Sequence, residues 1–116
     1  MIKISVDHAY AFDMLAILLV KSKKQNNIQN AQNYFAAASE IKDQIGVDKM
    51  QEVLNSQEFH DLRDINSEIF DLVTKAQTDE CLASDIDKGN YQRYLAKKIV
   101  QERFFGGELK EQKIGY

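Results

Sequence analysis

The sequence predicts an all-α protein, a single-domain antiparallel helical bundle of four main helices plus one short helix. Its 116 residues contain no Pro and only five Gly, four of them at or after Gly89. Most of the chain therefore lacks the two residues that interrupt helices. Apolar residues also recur at three- and four-residue spacing in several segments. A chain of this length is expected to form one core, so we assign residues 1–116 to one domain, with 107–116 as a loosely ordered tail.

The first helix is predicted around a stretch in which eleven of twelve residues, from Ala9 to Val20, are apolar and the twelfth is Asp13. Ser5 or Asp7 can cap its start by accepting hydrogen bonds from the first turn. Lysines at its end favour termination near Lys24, because positive charge is stabilised at that end of the helix dipole. We expect this helix to be buried almost all round.

A second amphipathic helix is predicted from Asn27 to Ile45, and Gly46 is expected to end it by allowing positive φ. The residues from Val47 to Asn55 favour a short helix after a capping Asp48. The apolar face predicted for the second helix comprises Ile28, Ala31, Tyr34, Phe35, Ala38, Ile41 and Ile45.

The clearest amphipathic pattern predicts a helix from Ser56 to Thr78, and Asp79 to Lys88 is interpreted as a connection. The last helix is predicted from Gly89 to Phe105, with the Gly106-Gly107 pair ending it. Its buried side chains are expected to be Tyr91, Tyr94, Leu95, Ile99 and Phe104.

Composition and charge favour a cytoplasmic protein. The net charge of −3 gives no general attraction to nucleic acid or to anionic lipid. Cys81 is the only cysteine, which excludes an intramolecular disulfide and favours a reducing compartment. The longest apolar run, Met14 to Val20, has seven residues, and about 20 are needed to span a bilayer. We therefore expect no membrane partner, and Asp7 and Asp13 disfavour a signal peptide.

Asp13 is the candidate site residue, because a carboxylate among Ala9, Tyr10 and Ala16 loses hydration unless it is paired or protonated. Helical periodicity places Arg93 on the inward face of the last helix, so we predict a buried charge pair between Asp13 and Arg93. Arg63 and Lys97 are the alternative cations.

Scattered positions on three helices resemble a family of small, uncharacterised all-helical proteins of bacteria and phages, for which no activity is known. In that family an Asp precedes an Ile-Leu pair and a Lys on the first helix, and an Asn-x-x-Arg step opens the last one. The resemblance implies a helical fold, the Asp13–Arg93 pairing, and Asn66, Glu80 and Asn90 as possible polar neighbours. This chain has Val73, Thr74 and Gln77 where the family has a Glu-Asp pair and an Arg. The matching residues are Asp13, Ile17, Leu18, Lys21, Leu62, Ile65, Asn66, Ile69, Phe70, Glu80, Asn90, Arg93 and Lys97.

Two enzyme classes have partial matches. A helical nucleotide pyrophosphatase would need acidic pairs to hold magnesium, as Glu40-x-x-Asp43 and Glu68-x-x-Asp71 could. Helical periodicity points three of these carboxylates, Glu40, Asp43 and Asp71, away from the apolar faces, which argues against that reading. A mutase of the chorismate type would need several cations, and the first helix has no Arg. We assign no catalytic residue, no metal site and no cofactor.

A basic patch for nucleic acid could form if the ends of the first and last helices meet, but cations at helix C-termini are also expected from the helix dipole alone. The residues are Lys21, Lys23, Lys24, Lys97, Lys98 and Arg103. We therefore do not expect a nucleic-acid partner.

The leading interpretation is a non-enzymatic protein-interaction or assembly module, with a protein partner or self-association through exposed aromatic residues. The alternative is a small helical enzyme, pyrophosphatase-like or mutase-like, with a polar cleft around Asp13. The chain has eleven Phe and Tyr residues, more than one narrow helical stripe can cover, so some of them should remain exposed. Several cluster at Tyr91, Tyr94, Phe104 and Phe105.

Overall fold

A computed structural model describes residues 1–2, 4–78 and 83–107, and every regular element within these ranges is helical. The all-α prediction is therefore confirmed. Five α-helices are followed directly by a short π-helical segment. The elements are α1 (His8–Lys24), α2 (Ile28–Ile45), α3 (Val47–Leu54), α4 (Gln57–Ala76), α5 (Ala83–Val100) and the π segment (Gln101–Phe105).

The first four helices begin and end close to their predicted residues. The Asn27 side chain accepts hydrogen bonds from two backbone amides at the start of α2, and Ser56 Oγ accepts from Phe59 N at the start of α4. Gly46 separates α2 from α3 with φ of +90°, a conformation that side chains rarely adopt. Side-chain caps thus set the starts of α2 and α4. The capping role predicted for Asp48 is wrong, because Asp48 lies in the first turn of α3 and the residue before that helix is Gly46, which has no side chain to accept a hydrogen bond.

The hydrophobic core lies between α1, α4 and α5, with α2 packed on α1 and α3 packed on α2 and α4. Among the described residues, no helix is long and apolar enough to cross a membrane. The fully buried large side chains are Phe12, Leu15, Leu62, Val53 and Val100.

The start predicted for the last helix is wrong, because α5 begins at Ala83 and Gly89 lies in its interior. The backbone passes close to α4 at this glycine. A Cβ added to Gly89 would lie 3.0 Å from Ile69 Cγ1. The glycine therefore permits close helix packing instead of starting the helix.

The predicted burial of Tyr91 and Ile99 is also wrong, because these residues are 60% and 51% exposed. Helix α5 buries a neighbouring face that includes Lys97 and Gln101. Apolar periodicity could not identify that face, since two of its residues are polar and each has a partner far away in sequence, on α1. The buried residues on this face are Ala96, Lys97, Val100, Gln101 and Phe104.

Two other apolar predictions fail because α1 and α2 each leave one side exposed among the described residues. Met14 is exposed, so α1 is not buried all round. Ile28 and Phe35 are exposed on α2, which packs mainly against α1 and α3.

The C-terminal end of the helical structure follows the prediction. The π segment ends at Gly106 and Gly107, with φ of +68° and +75°. The tail predicted at 107–116 lies outside the described residues from 108 onward, as do residues 79–82 of the predicted connection.

Candidate functional site

The candidate site is a buried polar cluster around Asp13, where α1 meets α4 and α5. Asp13 is 6% exposed and its neighbours Phe12 and Ala16 are fully buried. The apolar sequence around it drives α1 into the core and carries the carboxylate with it. A carboxylate in such a position needs donors or cations to replace its lost hydration.

Asn66 on α4 supplies the hydrogen bond. Its Nδ2 donates to Asp13 Oδ1 at 2.9 Å and to the Leu62 backbone carbonyl at 3.0 Å. Asn66 is itself buried. The second bond, to a carbonyl four residues earlier in the same helix, fixes the direction in which the amide points.

Two cations from α5 face the other carboxylate oxygen. Lys97 Nζ lies 3.6 Å and Arg93 Nε 3.7 Å from Asp13 Oδ2. Residues four apart on a helix share a face, which is why both cations reach one oxygen. Both distances exceed the usual hydrogen-bond range, so each cation acts on Asp13 through charge.

The two cations differ in burial. Lys97 is 4% exposed, whereas the Arg93 side chain is 30% exposed. The Lys97 ammonium also lies over the Tyr10 ring, 4.3 Å from its centroid. Tyr10 and Asp13 thus surround the lysine with a ring face and a carboxylate, both of which attract a cation.

The structure brings three of the predicted site residues together: Asp13, Arg93 and Asn66. Asn90 is exposed on α5 and does not join the contacts described for Asp13. Glu80 lies outside the described residues. Lys97, which the sequence offers only as an alternative cation, is the more buried partner. The four-residue spacing from Arg93 to Lys97 is the signal that predicts a shared face.

Sequence patterns did not predict a role for Gln101. This buried side chain accepts a hydrogen bond from Ala9 N at 3.1 Å, and its Nε2 donates to the Gly106 carbonyl at 3.3 Å. The amides of a helix's first turn have no partner within the helix. Gln101 therefore caps α1 from the far end of the chain, in place of the predicted Ser5 or Asp7 side chain.

The acidic pairs considered for magnesium occupy ordinary surface positions. Asp71 binds the Lys24 ammonium through both carboxylate oxygens, each at 3.0 Å. Glu40, Asp43 and Glu68 are exposed. Among the residues that the structure describes, no group of three or more His, Cys, Asp or Glu side chains could hold a metal ion.

A groove of about 400 Å³ runs between α4 and α5 on the molecular surface. Asp13 is not among the residues that line it. Its α5 side is apolar except for Gln92, and its α4 side carries three carboxylates and Ile65. The lining residues are Glu58, Asp61, Asp64, Ile65, Gln92, Leu95, Ala96 and Ile99.

Comparisons with protein-family models, with curated proteins and with solved structures found no match to this chain.

Proposed function

We propose that this protein is a non-enzymatic helical interaction or assembly module that binds a protein through the α4–α5 groove. In this proposal the four longer helices form an antiparallel bundle and α3 is its short additional helix. The observation that carries the proposal is an apolar row on α5 formed by Tyr91, Leu95 and Ile99. Tyr91 and Ile99 are more than half exposed and Leu95 is half-buried.

The spacing of this row supports a binding role. The three residues lie four apart in one helix, so they form a continuous stripe. Isolated exposed apolar residues are common on protein surfaces, whereas a contiguous apolar surface with a polar border is typical of interaction sites. Leu95 and Ile99 also line the groove, beside the carboxylates of α4.

The surroundings of Asp13 favour a structural role for that residue. One of its oxygens accepts a hydrogen bond from Asn66, and the other faces Lys97 and Arg93. A carboxylate acting as a base or a metal ligand would have to exchange one of these partners for substrate. The cluster instead joins α1 to α4 and α5, the two helices that form the groove.

The test is capture of cross-linked partners from the native host, with the wild-type chain and two apolar-to-acid variants compared by quantitative mass spectrometry. Ile99→Glu changes the groove, and Phe35→Glu makes the same type of change on the exposed face of α2. We expect a partner that is recovered with wild type and Phe35→Glu and is lost with Ile99→Glu. Equal recovery with all three chains would refute binding through the groove.

A further inference from the structure

The apolar row on α5 has a charged residue at each end. Lys88 lies three residues before Tyr91, and Glu102, in the π segment, lies three residues after Ile99. The Glu102 carboxylate lies 3.9 Å from Lys98 Nζ, a longer contact than those made by the α4 carboxylates Glu58, Asp61 and Asp64. Both charged residues are exposed. Residues at three- and four-residue spacing share one side of a helix, so the side presents a cation, an apolar stripe and an anion in that order.

This order is self-complementary. Leu95 stands at the centre, with Tyr91 and Ile99 four residues to either side and Lys88 and Glu102 seven residues to either side. When two such helices pack antiparallel about a two-fold axis at Leu95, Tyr91 of each copy comes opposite Ile99 of the other. Each Lys88 then comes opposite Glu102. A two-fold interface requires this kind of match of a surface with itself.

We propose that the occupant of the groove is a second copy of this chain, whose α5 lies antiparallel to α5 of the first. The inference rests on the proposed function, since it names the partner of the same groove. The contact buries the two apolar stripes against each other and forms two Lys88–Glu102 ion pairs at its rim. Burial of the stripes drives association, and the ion pairs select the antiparallel orientation.

The α4 side of the groove reaches one end of the stripe. Glu58 lies near the Ile99 end, because its carboxylate binds Arg103 Nε at 2.9 Å. Lys88 of the second copy therefore approaches Glu102 at an end where the charges of Glu58 and Arg103 cancel.

The three α4 carboxylates that line the groove favour a second copy over a strongly basic helix from another protein. Glu58 is neutralised by Arg103, and Asp64 lies 3.4 Å from Arg63 Nη2. Asp61 accepts a hydrogen bond from Gln57. Since each of these carboxylates already has a partner within the chain, the α4 side of the groove attracts the cations of a basic helix only weakly.

The experiment is sedimentation equilibrium of the purified full chain from micromolar to several hundred micromolar. The wild-type mass should rise from 13.3 kDa toward twice that value. Lys88→Glu and Glu102→Lys each place like charges opposite one another at both ends, and each should weaken dimerisation by about tenfold. The Lys88→Glu/Glu102→Lys double variant restores opposite charges and should recover the wild-type dissociation constant.

The controls make the same charge changes on α2, as Lys42→Glu and Glu40→Lys, and should leave the dimer unchanged. Thermal unfolding of every variant separates a loss of fold from a loss of association. Recovery in the double variant cannot come from improved folding, because that variant contains both single changes.

The antiparallel orientation is checked by disulfide cross-linking in a Cys81→Ser background. Chains with Tyr91→Cys should cross-link to chains with Ile99→Cys more than either cross-links to itself, and a parallel pair would reverse this preference.

A wild-type chain that stays monomeric throughout, or a double variant no better than the singles, overturns the second-copy inference. Groove-dependent capture of a different protein would then still support the proposed function, whereas recovery that ignores Ile99→Glu would refute binding through the groove and the second-copy inference with it.

Discussion

Lys97 Nζ lies 3.6 Å from Asp13 Oδ2, and Lys97 is the more deeply buried of the two cations that face this carboxylate. Desolvation of both groups is costly, so the pair is not in itself a source of net stability. The two charges nevertheless depend on each other: removal of the Asp13 charge leaves Lys97 buried without the carboxylate that it faces, whereas removal of Lys97 leaves Asp13 with Arg93 and Asn66. The first two predictions follow from this dependence.

Asp13→Asn should lower the free energy of unfolding by about 3 to 5 kcal/mol, because it leaves Lys97 buried without its carboxylate. Asparagine keeps nearly the same shape, so the change isolates charge from packing. Chemical denaturation followed by circular dichroism measures the effect. An unchanged midpoint would mean that the carboxylate contributes no charge to the native structure.

Loss of Lys97 should reduce the contribution of the Asp13 carboxylate to the free energy of unfolding. In a double-mutant cycle, Asp13→Asn should cost less in a Lys97→Met background than in wild type, with a coupling of about 1 to 3 kcal/mol. Arg93→Met in place of Lys97→Met should give a smaller coupling, because the Arg93 side chain is 30% exposed and screened by solvent. Equal couplings for the two cations would contradict the ranking by burial.

Gln101→Met should destabilise the protein by about 1 to 3 kcal/mol, since it removes the acceptor of the Ala9 amide while nearly preserving volume. The effect should be local as well as global. Amide hydrogen exchange at Ala9 should accelerate more than exchange in the middle of α4. Uniform acceleration across both helices would show that the side chain acts only through general packing.

Gly89→Ala should fail to give the gain of about 1 kcal/mol that alanine provides in an exposed helix interior, because its Cβ would crowd Ile69 Cγ1. In an Ile69→Ala background, which removes that atom, the same substitution should become stabilising. Denaturation midpoints of the four proteins test the sign change. A higher midpoint for Gly89→Ala alone would mean that α4 and α5 separate at little cost.

Local signals in the sequence determined the helical class and most of the helix boundaries. The absence of Pro, the apolar periodicity and the positive-φ glycine at Gly46 act within a few residues, so they can be identified without the fold. The side-chain caps at Asn27 and Ser56 are equally local but were not predicted. The placement of Asp13 in the core was also local, because the surrounding residues are apolar on every side.

The tertiary structure alone decided which face of α5 is buried and which residues complete the site. Lys97 and Gln101 are polar, and burial is favourable for them only because Asp13 and the Ala9 amide, 84 and 92 residues away in sequence, supply partners. A periodicity argument assigns such residues to the surface and places Tyr91 and Ile99 inside. The fold instead buries Lys97 and Gln101 together with the apolar residues Ala96, Val100 and Phe104 and leaves Tyr91 and Ile99 exposed, because the polar partners on α1 reach this face only when the chain is folded.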